Sequence, residues 1–227
     1  MLPITIVCAS RHREGDFYAS SALGRSLSQT YSHIPVKKQF YFENTRPLPV
    51  CYNSAVSDAI NPDEIFVFIH DDVFIIDFFW IEKILWGFQN FDILGVAGNK
   101  RRVPKQPSWI FVDQSFTLDH LSNLTGAVGH GRGFPCQLSP YGPPGQECKL
   151  MDGVLLSVRK STFEKHGMRF DERFDFHFYD LDLCRQAEQH GVRMGTIPLG
   201  IIHESGGQFG TPPWKNGYHK YLAKWGE

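Results

Sequence analysis

Two adjacent carboxylates, Asp71 and Asp72, interrupt an otherwise apolar run from Phe66 to Ile75. Four β-forming residues, Phe66-Val67-Phe68-Ile69, lead into His70-Asp71-Asp72, and the chain turns apolar again at Val73. Unpaired buried charge is costly, so such a pair needs a cation or hydrogen bonds to compensate it. The carboxyl end of a buried parallel strand is where open α/β sheets bind ligands. The chemical reading is therefore an acidic, metal-holding crevice; the bland one is an Asp that caps the helix that follows.

A second dense cluster runs from Phe170-Asp171-Glu172 to Tyr179-Asp180-Leu181-Asp182-Leu183-Cys184-Arg185. Asp180 and Asp182 fall where a helix is expected to begin. There they either complement its dipole or present a carboxylate to a cleft as general base. The third segment, Ile201-Ile202-His203-Glu204-Ser205-Gly206-Gly207, closes a strand with a histidine. Carboxylates near one end of a sheet plus one imidazole suit an octahedral divalent ion, with waters and phosphate oxygens completing the shell. His70-x-Asp72 with distant His203 also spells the two-His-one-carboxylate set of non-haem iron oxygenases. Those sites usually sit in all-β barrels, which the helical patterns of this chain do not suit.

The elements that must position these residues alternate. Strand-like runs cover 3–9, 35–42, 65–69, 92–97, 151–158 and 192–202. Between them, Asp16 is expected to cap a helix through about residue 31, with Phe17, Leu23, Leu27 and Tyr31 inward. Ala55, Val56 and Ala59 suggest a short helix, and Ile81, Ile84, Leu85 and Phe88 an amphipathic one. Ser161-Thr162-Phe163-Glu164 reads as a capping box with Gly167 as the stop. Leu183, Cys184 and Ala187 mark a helix that Gly191 ends. The alternation predicts an α/β fold with a Rossmann-like, mostly parallel sheet flanked by helices. Residues 99–150 are rich in Gly and Pro and show no helical period. Gly129-His130-Gly131-Arg132-Gly133 reads as a loop or hairpin, not a phosphate cradle. The stretch from Gly206 suggests a flexible flap or a docked tail.

Bulk properties narrow the field. The chain has 227 residues and a net charge of −1, which gives no electrostatic case for nucleic acid or an anionic membrane. The Met1–Val7 start reads as a strand and not a signal peptide, and no run approaches the roughly 18 apolar residues of a membrane span. Five scattered cysteines without a Cys-x-x-Cys point to reduced thiols and a cytoplasmic location, with a Cys136–Cys148 pair as the lesser alternative. Nineteen Phe and 14% aromatics favour an aromatic core or cleft. Trp109, Phe111, Phe134, Tyr141 and Trp214 are candidate stacking platforms for a ligand's rings, or simply pack.

Taken in order, His70-Asp71-Asp72, Asp152-Gly153 with Arg159-Lys160, Phe170-Asp171-Glu172 through Asp180-Leu181-Asp182-Leu183-Cys184-Arg185, and His203 with Gly206-Gly207 resemble the inverting GT-A glycosyltransferases of the family-2-like group. The resemblance covers about residues 3–207. It implies a GT-A domain over 1–207 and a flap or tail over 208–227. It further implies transfer of a hexosyl or N-acetylhexosaminyl group, with inversion, from a nucleotide-diphosphate sugar, UDP-linked, to an acceptor hydroxyl on a glycan, lipid or protein. The implied cofactor is Mn2+ or Mg2+. Position by position, Asp72 and His203 resemble the metal ligands and Asp180 the catalytic base. Ala9, Ser10, Arg11, Glu43, Asn53 and Asp71 resemble the nucleotide and ribose contacts, and Asp152 with Gly153 the sugar side. Lys215, Lys220 or Lys224 would close over the phosphates, or simply be solvated. Three departures stand out: His70 where Asp is common, Tyr179 where Glu often precedes the base, and a short Glu43–Asn53 stretch. In this reading His70 lies outside the metal set. A catalytically silent nucleotide-sugar-binding protein of the same fold is the other reading.

Overall fold

The computed structural model describes residues 3–29 and 34–226. Its first half alternates strands and helices: β1 (Ile4–Ala9), α1 (Glu14–Ser20), α2 (Ala22–Gln29), β2 (Val36–Tyr41), α3 (Leu48–Asp58), β3 (Ile65–Ile69), β4 (Val73–Ile75) and α4 (Trp80–Gly87). A strand-rich stretch follows: β5 (Ile93–Gly95), β6 (Ala97–Asn99), β7 (Leu124–His130), β8 (Gln137–Gly142), β9 (Glu147–Cys148), β10 (Leu150–Met151) and β11 (Leu155–Arg159). The chain ends with α5 (Lys160–His166), α6 (Tyr179–Gln189), β12 (Met194–Thr196), β13 (Ile201–His203) and α7 (Pro212–Trp225).

The larger sheet has the order β2-β1-β3-β11-β5-β12-β9, and every residue of β3 is buried. That explains the unbroken apolar run before His70, because helices and loops cover both faces of a central strand. The sheet is mixed, which corrects the expectation of a mostly parallel one. β1 is parallel to β2 and β3, and β12 to β5, but β11 runs antiparallel between β3 and β5, and β9 antiparallel beside β12. Periodicity marks strands but not their direction, so the insertion of β11 was invisible in the pattern. A second sheet, β10-β6-β7-β13-β4 with β8 on β7, takes β7 and β8 from the Gly- and Pro-rich residues 99–150 and gathers β4 and β13 from well outside them. The Gly129–Gly133 cluster is indeed the β7–β8 hairpin end.

Local expectations fared unevenly. The helix expected from Asp16 is two helices, and Tyr31 lies outside the described residues. Ser21 makes the break: its Oγ donates to the Phe17 carbonyl at 2.8 Å and accepts the Gly24 N–H at 2.8 Å. A Cβ on Gly24 would lie 2.2 Å from that carbonyl oxygen, so the close turn needs glycine. The Ser161 capping box does not form. The cap is Arg159, two residues earlier, and the Lys160 and Ser161 N–H groups bond the Glu64 and Pro62 carbonyls instead. Gly167 does end it, with φ 61°. The five cysteines are free thiols.

Candidate active site

His70-Asp71-Asp72 is the crossover between the two sheets, joining the end of β3 to the start of β4. Strand pairing then brings distant residues to it. β13 runs antiparallel to β4 with His203 opposite Val73, and the Glu204 N–H continues the ladder to the Asp72 carbonyl at 2.9 Å. β11 lies beside β3, and the His70 N–H donates to the Val154 carbonyl at 3.2 Å, which sets the Asp152-Gly153 turn next to His70.

Helix α6 is docked onto that turn. The Tyr179 hydroxyl donates to the Gly153 carbonyl at 2.8 Å, and the Gly153 N–H donates to Asp180 Oδ2 at 3.0 Å. A Cβ on Gly153 would come within 2.5 Å of the Tyr179 hydroxyl and 2.9 Å of Asp180 Cβ. Only glycine permits this approach. The helix is entered through Phe178, whose φ of 68° is unusual for a bulky residue. Phe178 is held there by packing on Trp214, Tyr218 and Tyr221 of α7. Strain of this kind persists where surrounding structure over-determines it, commonly beside a site.

Two carboxyl groups here are tuned oppositely. Burial would raise Asp72, but His203 Nε2 at 3.3 Å from Oδ2, together with His70, outweighs it and brings the pKa down to about 2. For His203, burial acts downward, yet Asp72 raises its pKa overall. Asp180 is partly exposed, but the protein around its carboxyl strips solvent from it, and the Asp152 charge adds to that, so its pKa is pushed up to about 7. Burial pushes the His70 pKa down despite the charge of Asp72.

These groups share one cleft of about 340 Å³. Its polar members include His70, Asp72, His130, Asp152, Asp180 and His203; its aromatic members include Trp109, Phe111, Tyr141, Phe176 and Trp214. Buried Asn99 anchors the loop that carries Trp109 and Phe111, donating to the Trp109 carbonyl at 3.1 Å and to Asp119 at 2.8 Å. The Arg101 guanidinium beside Asp119 holds that carboxyl well below the usual range.

The residues expected to hold a metal fit one. His70, Asp72 and His203 each offer a ligand atom, all within 4.8 Å of one another, and Asp72 Oδ1 is buried without a hydrogen-bond partner. An orphaned carboxylate oxygen beside two imidazoles is a donor set that could hold a divalent cation. His70, which the family pattern leaves outside the metal set, thus lies beside the two residues expected to form it.

The expected nucleotide residues lie elsewhere. Ala9, Ser10 and Arg11 follow β1, and Ser10 Oγ donates to Asp71 Oδ2 at 2.5 Å, tying the ends of β1 and β3 together. Glu43, exposed and 3.4 Å from Arg13, lies in the adjoining loop through its N–H to the His12 carbonyl. Asn53 is not gathered to this group. Its side chain clamps the backbone of Phe170 on both sides and also donates to Glu172. Phe134 is not among the cleft aromatics and is 74% exposed. Lys220 and Lys224 are engaged away from the cleft: Lys220 with Arg173 and Asp175, Lys224 with Asp171 and Asp182. Tyr179, His130 and Phe176 were not singled out as site groups from sequence. Tyr179 had a signal, its place directly before the expected base.

Residues 36–204 match the family described as "Glycosyltransferase like family", so the chain belongs to that family-2-like glycosyltransferase group. The fold is GT-A-like. GalNAc-T7, solved with UDP, GalNAc and Mn2+, superposes with a TM-score of 0.60 at 11% identity. The match covers 98% of this chain and 48% of that one, so the chain spans about half the length of that protein. TarS 1–349 of S. aureus superposes with a TM-score of 0.50 at 10% identity, covering 89% of this chain and 60% of that one. Comparison with curated proteins finds no match. Two open sheets flanked by helices are not the all-β barrel of an iron oxygenase, and that alternative falls with the fold. Among the described residues, no helix is long and apolar enough to cross a membrane.

Proposed function

We propose that this protein transfers a sugar, hexosyl or N-acetylhexosaminyl, with inversion from a UDP-linked donor to an acceptor hydroxyl, and that the transfer depends on a divalent metal. The observation that carries the reading is Asp180. A carboxyl group whose pKa is pushed up to about 7 opens into the same cleft as Asp72 and His203. A base poised near neutral pH is matched to taking a proton from a hydroxyl. A divalent cation held by Asp72 and His203 would supply charge stabilisation for the departing diphosphate. Asp180 accepts the acceptor's proton as the new glycosidic bond forms, and the Gly153 N–H fixes its carboxylate. Trp109, Tyr141 and Trp214 offer ring faces for sugars and keep bulk water from the reacting centre. Asp71 and Ser10, joined at the ends of β3 and β1, would meet the nucleotide end of a donor that reaches beyond the cleft. The family membership and a fold-mate solved with UDP and Mn2+ support this donor class.

The test is calorimetry with UDP, then transfer from UDP-sugars to a panel of glycan, lipid and peptide acceptors. UDP is expected to bind with Mn2+ and much more weakly with EDTA, and transfer to one acceptor class is expected to exceed donor hydrolysis. Equal UDP affinity with EDTA would remove the metal from the reading. Tight donor binding with no transfer to any acceptor would make this a nucleotide-sugar-binding protein.

A further inference from the structure

We propose that His70 is a third protein ligand through Nδ1, held in the required tautomer by Tyr179, so that the site takes a first-row transition-metal ion in preference to Mg2+. The inference rests on the Asp72–His203 metal pair of the proposed function and adds the residue that decides which metal binds there.

The hydrogen bonds determine where the imidazole proton is. Tyr179 has one hydroxyl proton, and the Gly153 carbonyl, an acceptor only, lies 2.8 Å away and takes it. His70 Nε2 is 2.8 Å from the same hydroxyl oxygen, so Nε2 must carry the hydrogen and donate. In the neutral ring, Nδ1 then presents a lone pair. It faces Asp72 Oδ1 across 4.0 Å, beyond hydrogen-bonding distance, and that oxygen is the buried atom without a partner. Two acceptors directed at one another in a partly buried site repel unless a positive group stands between them. His203 Nε2, 3.3 Å from the other oxygen of Asp72, completes the set.

The chemistry of that set is selective. Mg2+ prefers hard oxygen ligands and gives up water reluctantly, so it gains little from two imidazoles. Imidazole nitrogen suits first-row transition ions, and affinity rises from Mn2+ through Co2+. A carboxylate at position 70 would shift the balance back toward Mg2+. Tyr179 is a positioning residue here: its hydroxyl, held by the Gly153 carbonyl, orients the His70 ring. Loss of such a partner typically weakens metal binding about 10–100-fold.

The experiment is calorimetric titration of the full chain, without donor, with Mn2+, Co2+ and Mg2+, alongside the absorption spectrum of the Co2+ form. Wild type should bind Mn2+ and Co2+ at least about 10-fold more tightly than Mg2+. His70→Ala should lose Mn2+ affinity as His203→Ala does, and alter the Co2+ spectrum. Tyr179→Phe, which keeps the ring, should weaken Mn2+ by about 10-fold or more. His70→Asp, the second variant should His70→Ala fail to fold, should bind the metal but narrow the Mn2+ over Mg2+ preference. Unchanged Mn2+ affinity in His70→Ala or an unchanged preference in His70→Asp, with binding lost in His203→Ala, overturns this inference and leaves the Asp72–His203 pair standing. Unchanged affinity in Asp72→Ala and His203→Ala as well would overturn the metal site itself.

Discussion

The His70–Asp72 crossover and the first turn of α6 both present a carboxylate to one cleft, and the protein tunes the two in opposite directions. Asp72 has imidazoles on two sides and stays ionised far below neutral pH, its pKa near 2. Among the described residues no cation pairs with Asp180; solvent exclusion and the charge of Asp152 raise it to about 7. Two carboxyl groups whose environments push their pKa values apart have two jobs: one holds positive charge, the other exchanges a proton. The difference arises from neighbours, not residue type. On the proposed function, the crossover would hold a cation and the α6 turn would supply a base.

Four experiments break or sharpen this contrast. Asp180→Asn should cut transfer by about 10²–10⁴-fold and leave UDP binding with Mn2+ near wild type, because the base acts only as the proton moves. Turnover retained in that variant would reduce Asp180 to a helix-start residue. Gly153→Ala should come next. Its Cβ would press on both Tyr179 and Asp180, and a displacement near 1 Å costs roughly 100-fold in turnover. A crystal structure of the variant would reveal whether α6 shifts.

The third experiment reads stability against pH. The folded-state pKa of Asp180 is raised, so the stability linked to its neutral form is complete below the ordinary value of 3.8. It is lost as pH rises through about 7. Asn stays neutral throughout. Asp180→Asn should therefore match wild type near pH 4 and exceed it by about 2 kcal/mol near pH 8. That is half of the roughly 4 kcal/mol a solvent-free site would register, since this carboxyl still meets the cleft. Denaturant melts at the two pH values measure it; a gap that does not widen with pH would deny the raised pKa. The smallest effect is on rate against pH. Asp152, Tyr179 and Cys184 are the titratable groups electrostatically linked to Asp180, and burial holds Tyr179 and Cys184 neutral well above pH 7. kcat/KM should thus fall about tenfold per pH unit below an apparent pKa near 7. A flat profile from pH 5 to 8 would place the base elsewhere.

Much of this was legible in the sequence wherever the cause was local. The β3 run, the α6 face ended near Gly191 and the hairpin at Gly129–Gly133 follow from side-chain period, glycine and burial, which a short window contains. The acidic pair after β3 and the Tyr179–Arg185 segment carried the family resemblance for the same reason. What only the tertiary structure decided depends on pairings across long separations. β13 beside β4 joins His203 to Asp72, and β11 antiparallel in the sheet brings Gly153 to Tyr179 and Asp180. Whether Asn53 met a nucleotide or clamped Phe170, and whether Lys224 reached a phosphate or Asp182, was likewise a matter of packing partners. A pKa is set by solvent exclusion and neighbouring charge in three dimensions. The types of the two carboxylates were therefore written in the chain, but the opposite shifts of their pKa values appeared only when it folded.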